Sequence, residues 1–273
     1  MVLTRRTIAQ PVTTHGLGVR SGAEITLAFL PAESGVGLRL RRTDLGSEMP
    51  IGLATVTSSA VCTAVGSGEA RVDFVEHVLA ALHAGGVSDL VVEVSGGEIP
   101  MFDGSALPLW QMLQEAGFTD HPEPLAPLVV REEIVIEQGD KVLRALPADA
   151  PTFAYALAHP HPMVGEQTAS YDPSSDDFAR DLAPARTWGL YEELAHLRAA
   201  GLLAGGSEEN AVVIFADHLS APLAWPNAFA RHKLLDLYGD LYLLGAPIIG
   251  RISAARTGHA DNHLLAQAIA RQQ

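Results

Sequence analysis

The sequence predicts an α+β protein made of two tandem, similar two-layer α/β sandwich domains, with their helical layers facing and a site between them. Three observations carry this expectation. His121-Pro-Glu-Pro-Leu-Ala-Pro127 sets three prolines in seven residues near mid-chain, too stiff for a helix and poor for a central strand. On either side of that break, strand-like segments come first and a helix–strand–helix unit follows, the order of a sheet with helices on one face. Apolar residues make up 48% of the 273 and charged residues 18%, a globular profile with core material for two modest domains. The expected units are residues 1–123 and 124–273, and a cleft between two such layers is the default place for a ligand.

In the first half, Glu24–Leu30 and Gly37–Arg41 read as strands. Asp73 is placed to cap a helix whose third helical residue is Glu76, a capping-box pattern. Val75, Val78, Leu79 and Leu82 then form one apolar face, and Gly85-Gly86 stops the helix. Asp89–Ser95 follows as a strand, and a second helix near Ala106–Ala116 closes at Gly117. In the second half, Leu128–Glu137 and Lys141–Leu146 are the leading strands. Leu190–Leu203, rich in Ala and Leu, reads as an amphipathic helix packed on the body, with an apolar substrate passage as the alternative. Ala228–Leu244 is a helix stopped by Gly245 and Pro247, Ile248–Ala255 a strand, and His259–Arg271 the closing helix. The glycines of Gly201–Gly206 and Gly96-Gly97 lack the spacing of a dinucleotide or phosphate-binding fingerprint and read as turns.

Eighteen Lys and Arg against 32 Asp and Glu give a net charge of −14, which argues against a general nucleic-acid or anionic-membrane binder. An anionic ligand would need a local basic pocket working against that field. The single cysteine, Cys62, excludes an internal disulfide and a cysteine zinc site, and fits a reducing compartment. The opening MVLTRRTIAQPVTT has no apolar core of a signal peptide. The longest uncharged run, Met49–Gly68, is studded with Thr55, Thr57, Ser58, Ser59, Thr63 and Ser67, and reads as strand and loop rather than a membrane span. A soluble, cytoplasmic protein is expected, with no stable membrane insertion.

The sharpest chemical pattern is His232-Lys-Leu-Leu-Asp236-Leu-Tyr-Gly-Asp240. On a helix, His232 and Asp236 lie one turn apart on one side, and Asp240 stands about 80° round from His232. Taken alone, such a pair is more often a surface ion pair. Glu76-His77 supplies a second pair from the other half, its two side chains about 100° apart. A zinc hydrolase needs three protein ligands, an open position, and a carboxylate to take the proton of water. His77, His232 and Asp236 complete that count, with Glu76 as base. The competing readings are a cap for Glu76 and a buried, hydrogen-bonded role for His77. His259 opens the last helix and suits a proton donor to a departing amine, with Asp240 a plausible carboxylate for it. The alternative is a polar residue at a helix start. His83 points away from His77, His159 and His161 alternate with prolines, and His15, His121, His196, His218 and His263 have no evident partners.

Together these residues resemble the zinc-dependent UDP-3-O-acyl-N-acetylglucosamine deacetylases, which carry out the committed step of lipid A synthesis in Gram-negative bacteria. The resemblance runs from about Thr7 to Ile269. It takes in Leu40-Arg-Arg-Thr-Asp44, Val61-Cys-Thr63, Val75–Leu82, Ile99-Pro-Met-Phe-Asp-Gly-Ser105 and Ala185-Arg-Thr-Trp-Gly189. It continues through Gly201–Ser207, Asn210-Ala-Val-Val, Arg231–Leu241 and Thr257-Gly-His259. It implies one insert in each domain, at about Ser47–Val65 and Trp188–Ile214, the second forming the passage for a fatty acyl chain with Leu190, Leu197 and Leu203. It implies Zn2+ on His77, His232 and Asp236, Glu76 as general base, and His259 as general acid oriented by Asp240. Thr187 and Lys233 would polarise the carbonyl and stabilise the oxyanion, Lys141 would approach the nucleotide phosphates, and Arg256 would contact substrate. The implied partner is a small molecule, an acylated UDP-amino sugar, met by a monomeric chain. Departures from the family pattern fall on recognition: Arg20 for a His, His159 for the aromatic that packs on uracil, Arg256 for a Lys, and Asn227–Arg231 for an acidic-aromatic lead.

Overall fold

A computed structural model describes residues 3–58 and 61–273; Met1 and Val2, and Ser59 and Ala60 of the expected first insert, lie outside the described residues. The first half runs β1 (Thr4–Ile8), β2 (Val12–Leu17), β3 (Glu24–Pro31), β4 (Leu38–Arg42), β5 (Ser47–Pro50), β6 (Val56–Ser58), β7 (Thr63–Val65), β8 (Val72–Asp73), α1 (Glu76–Gly85), β9 (Leu90–Val94), α2 (Leu107–Ala116) and β10 (Phe118–Pro124). The second runs β11 (Leu128–Val129), β12 (Ile134–Gln138), β13 (Lys141–Leu146), β14 (Thr152–Ala158), β15 (Glu166–Tyr171), α3 (Phe178–Asp181), β16 (Trp188–Leu190), α4 (Tyr191–Ala199), β17 (Val212–Ile214), α5 (Ala228–Asp240), β18 (Ile248–Ile249), β19 (Arg251–Ala255) and α6 (His259–Ala270).

Each half holds a five-stranded sheet, and the two sheets share one topology. The orders are β2-β3-β9-β4-β5 and β12-β13-β19-β14-β15. In both, the central strand runs parallel to one neighbour (β4, β14) and antiparallel to the other (β3, β13), and both outer pairings are antiparallel. Alternation sets the buried face: Ile25, Leu27 and Phe29 point inward from β3, and Phe153, Tyr155 and Leu157 from β14. Helices cover those faces, α5 lying on β14 and β15 and α6 on β12 and β13. The two helical layers then meet where α1 packs on α5. Gly239 makes this meeting close, because a Cβ there would overlap the carbonyl oxygen of Glu76. The α+β fold is therefore two like sandwiches, helices facing.

The structure corrects several local expectations. Asp73 does not cap α1. It lies in β8, where its carboxylate takes Arg71 at 2.7 Å and Arg20, and the helix opens at Glu76 after Val75 without a side-chain cap. The proline-rich break contains a strand: β10 runs through Pro122 to Pro124 as the antiparallel partner of β1 in a two-stranded ribbon, where a missing N–H is tolerated. The strand expected over Leu128–Glu137 is two short ones, and the helix expected to Leu244 ends at Asp240 in a 3₁₀ turn over Leu241–Leu244. The segment expected to pack on the body as an amphipathic helix is α4, which buries no residue. Gly86 and Gly245 stop their segments in the left-handed conformation, as their positions imply.

Candidate active site

The contact of α1 with α5 brings His77 to His232 and Asp236. One donor atom from each of the three lies within 4.8 Å of the others, and all three side chains are buried. Nε2 of His77 stands 3.7 Å and Nε2 of His232 3.5 Å from Oδ1 of Asp236. Donors bonded at about 2.0–2.2 Å to one ion in tetrahedral geometry would be roughly 3.4 Å apart, so spacing and donor chemistry both fit a metal centre. The setting of His232 suits such a centre: its Nδ1–H donates to the carbonyl of Ala185 at 3.1 Å, leaving the Nε2 lone pair on the shared side. Burial pushes His232 down to about 4 against the pull of Asp236, which keeps the ring neutral. Asp236 is lowered well below the carboxylate range, because His232 and Lys233 outweigh burial. Nζ of Lys233 reaches Oδ2 of Asp236 at 2.6 Å.

Two acid–base groups flank this trio. Glu76 is buried, its Oε2 accepting the backbone N–H of Thr63 at 2.9 Å. Burial raises its carboxyl to about 7, with His259 and His77 pulling the other way. Nδ1 of His259 donates to Oδ2 of Asp240 at 2.9 Å, which aims Nε2 toward the trio, 4.0 Å from Asp236 Oδ2. Burial disfavours the imidazolium, yet Asp240, Glu76 and Asp236 outweigh it and raise His259 to about 9. Asp240 itself is held below its ordinary range against burial by His259 and His263.

These groups open on a cavity of about 870 Å³ whose walls come from both halves. Glu76, His77, His232, Lys233, Asp236 and His259 line one part, with Thr187 and Tyr155 beside them. The other part is apolar, formed by Leu194, Leu197, Leu202 and Leu203 of α4 and the turn after it. Phe74 and Arg256, both on the cavity, hold positive φ values of 65° and 58°, and Phe102 one of 52°. Phe74 precedes Glu76 by two residues and Arg256 precedes His259 by three, so left-handed backbone sits just before each acid–base group.

Residues 5–271 match the family described as UDP-3-O-acyl N-acetylglycosamine deacetylase. The chain belongs to that deacetylase family. UDP-3-O-acyl-N-acetylglucosamine deacetylase of Anaeromyxobacter dehalogenans is 39% identical over 267 residues, covering 97% of this chain and 87% of that protein. The enzyme of the same name from Leptospira biflexa is 37% identical over 275 residues, covering 99% and 91%. That of Campylobacter curvus is 35% identical over 269 residues, covering 98% and 92%.

Within this deacetylase-family site, most residues singled out from the sequence converge, and three points differ. Leu190 ends β16 and packs against the core, away from the cavity that Leu197 and Leu203 line. Lys141 is also off the cavity lining; its Nζ pairs with Asp261 at 2.9 Å, the same carboxylate oxygen that accepts the Gly258 N–H at the start of α6. The histidines expected to lack partners largely have them: Nε2 of His263 lies 2.9 Å from Oγ1 of Thr63, His15 meets the Thr26 hydroxyl at 3.1 Å, His121 the Ala32 carbonyl at 3.2 Å and His218 the Asp217 carboxylate at 2.8 Å. Arg20, His159 and Arg256 all face the cavity; His159 sets its ring edge-on to Trp188, and Arg256 pairs with Asp140 at 3.0 Å. Sequence reading gave no role to Thr63, Asn262 or Tyr155. Asn262 was within reach, one turn after His259 on the same helix. Tyr155 donates its hydroxyl to the Thr257 carbonyl at 2.6 Å, tying β14 to the backbone that leads to His259. Among the described residues, no helix is long and apolar enough to cross a membrane.

Proposed function

We propose that this chain is a zinc-dependent hydrolase that removes the N-acetyl group of UDP-3-O-acyl-N-acetylglucosamine, releasing acetate, in cytoplasmic lipid A biosynthesis. The observation that carries it is the convergence of His77, His232 and Asp236 within 4.8 Å, with Glu76 and His259 on the same cavity, in a chain of the deacetylase family. The two imidazoles and the carboxylate would hold zinc, which supplies Lewis-acid polarisation of the acetyl carbonyl and of water.

The chain's own groups account for the rest. Glu76 takes a proton from the attacking water as its oxygen bonds to the acetyl carbon. A carboxyl raised to about 7 suits that transfer near neutral pH. Thr187 and Lys233 face the cavity where the carbonyl oxygen gains charge. The C–N bond then breaks, and His259 delivers its Nε2 proton to the amine. Asp240 fixes the proton on Nδ1 and so leaves Nε2 as the transferring atom. Leu197 and Leu203, with Leu194 and Leu202, offer the acyl chain an apolar wall, and Arg256 and Arg20 offer the nucleotide cationic forks. The proposed domains are 1–123 and 124–273, a division that the end of β10 at Pro124 and the start of β11 at Leu128 support to within a residue or so.

Incubating the zinc-loaded protein with UDP-3-O-acyl-N-acetylglucosamine is expected to release acetate and free amine in equal amounts. Glu76→Gln and His259→Ala are each expected to retain zinc and lose about 10²–10⁴-fold in turnover. Protein that neither carries nor takes up zinc, or Glu76→Gln with parental turnover, refutes the scheme. Arg20 and His159 on the cavity favour one second reading, the same chemistry on another N-acylated nucleotide sugar. Turnover of such a sugar, with none of the UDP-linked acylglucosamine, would establish it.

A further inference from the structure

Thr63 is fully buried on β7, and every polar group it owns is spent on the site. Its backbone N–H donates to Oε2 of Glu76 at 2.9 Å, and its carbonyl accepts the N–H of Val75, the residue before Glu76, at 3.2 Å. Its hydroxyl donates to Oδ1 of Asp240 at 2.6 Å, across the boundary between the two halves. Asp240 uses its other oxygen, Oδ2, for His259 Nδ1–H and Asn262 Nδ2–H, each at 2.9 Å. A hydroxyl has one proton. With that proton on Asp240, Oγ1 is an acceptor toward His263, whose Nε2 lies 2.9 Å away. His263 therefore carries a proton on Nε2, and the chain of donors runs from His263 through Thr63 to Asp240.

We infer that Thr63 is a positioning residue for the hydrolysis, a single side chain and peptide that set Glu76 and the Asp240–His259 pair in one frame. The inference rests on the roles proposed above for Glu76 and His259. Without the Thr63 hydroxyl, Oδ1 of Asp240 loses its shortest hydrogen bond and keeps only His263 Nε2 at 3.7 Å, so the carboxylate is held on its Oδ2 side alone, by His259 and Asn262, and its set relative to His259 loosens. Because the same residue's N–H fixes Glu76, displacement of β7 would move the base and the acid's orienting carboxylate together. A threonine that only satisfied buried polarity would affect folding stability and leave the chemical step alone.

The test compares Thr63→Val, which keeps shape and removes the hydroxyl, with Thr63→Ser, which keeps the hydroxyl. Loss of a partner that orients a reacting group typically costs about 10–100-fold. Thr63→Val is expected to show that loss in kcat, with KM within about twofold and zinc content unchanged. Thr63→Ser is expected to recover most of it. Folded, zinc-bearing Thr63→Val with parental kcat, or Thr63→Ser as slow as Thr63→Val, overturns the inference. The imidazole nitrogen NMR spectrum of the parent is a second reading that needs no variant to fold: a protonated Nε2 on His263 is expected, and a bare one overturns the donor chain. If the parent itself releases no acetate from the UDP-linked substrate, the proposed function fails, while the His263 spectrum still decides the hydrogen-bond chain.

Discussion

Burial acts in the same direction on His83 and His259, and neighbours decide which protonation state each keeps. His259 has Asp240 and stays cationic; His83 has the carbonyl of Tyr238, which its Nδ1–H meets at 2.9 Å, two tyrosine rings stacked at 3.9 and 4.4 Å and the Phe153 ring edge-on, with no carboxylate beside it among the described residues. Burial accordingly lowers His83 from 6.5 to about 4. The sign of the consequence follows from linkage. A depressed folded-state pKa means the unfolded chain binds the extra proton first, so the neutral ring's contribution is complete above pH 6.5 and is lost as pH falls toward 4. At full development the difference is roughly 3 kcal/mol. Urea unfolding between pH 7 and 4 should show a steeper stability loss in the parent than in His83→Phe; parallel curves would show that His83 does not carry it. The same dependence on neighbours limits what the sequence discloses. Helical spacing made His232 with Asp236, and Glu76 with His77, legible as two pairs, while joining the pairs took the ligand count of a zinc hydrolase rather than spacing. The capping box was misread because Thr63 N–H, 13 positions from Glu76, already holds that carboxylate. His263 was passed over because its partner is 200 positions away.

Elements position these side chains through a small number of close approaches. The α1–α5 contact depends on Gly239, where a Cβ would also come within 3.0 Å of the Ala80 backbone nitrogen. Alanine is the better helix former by about 1 kcal/mol, so an unconstrained Gly239→Ala would stabilise α5. Here the overlap is with backbone, which cannot rotate aside, and overpacking of that kind costs about 1–3 kcal/mol. Gly239→Ala is therefore expected to lower stability and to give up zinc to a chelator sooner than the parent, since moving α5 off α1 moves His232 and Asp236 away from His77. Unchanged stability and zinc retention would mean that the helices adjust without separating. The glycine was visible in the sequence, but the reason for it was not, because the atom it avoids belongs to a helix of the other half. Element boundaries were legible where a local stop signal exists, as at Gly86 and Gly245. They were misplaced at β10 and α4, where the partner strand or the open cavity decides the structure.

At the scale of the whole molecule, the groups gathered at the cavity come from both halves, so neither half holds the set alone. The first half contributes His77 and Glu76 from α1, and the second His232 and Asp236 from α5 and His259 from α6. The order of strands and helices made the duplication legible in the sequence, although the shared strand order could not be read there, since it is fixed by pairings between distant segments. A metal held by residues of both halves binds the folded chain and not the unfolded one, so it acts as a removable cross-link between the two helical layers. Such binding stabilises by about 2.7 kcal/mol when the free ligand is at 100 times its Kd. For a chain of this size, about 2–4 °C of Tm accompanies each kcal/mol, so chelation is expected to lower Tm by roughly 5–10 °C. Zinc added back should restore it. Asp236→Ala should remove the zinc-dependent part of the shift, because His77 on α1 and His232 on α5 would lose the carboxylate oxygen that lies 3.7 and 3.5 Å from them. His259→Ala, whose side chain lies beside the trio without belonging to it, should keep the full shift. A Tm indifferent to chelation in the parent, or a zinc-dependent shift that survives Asp236→Ala, would show that the two layers are not joined through these three residues.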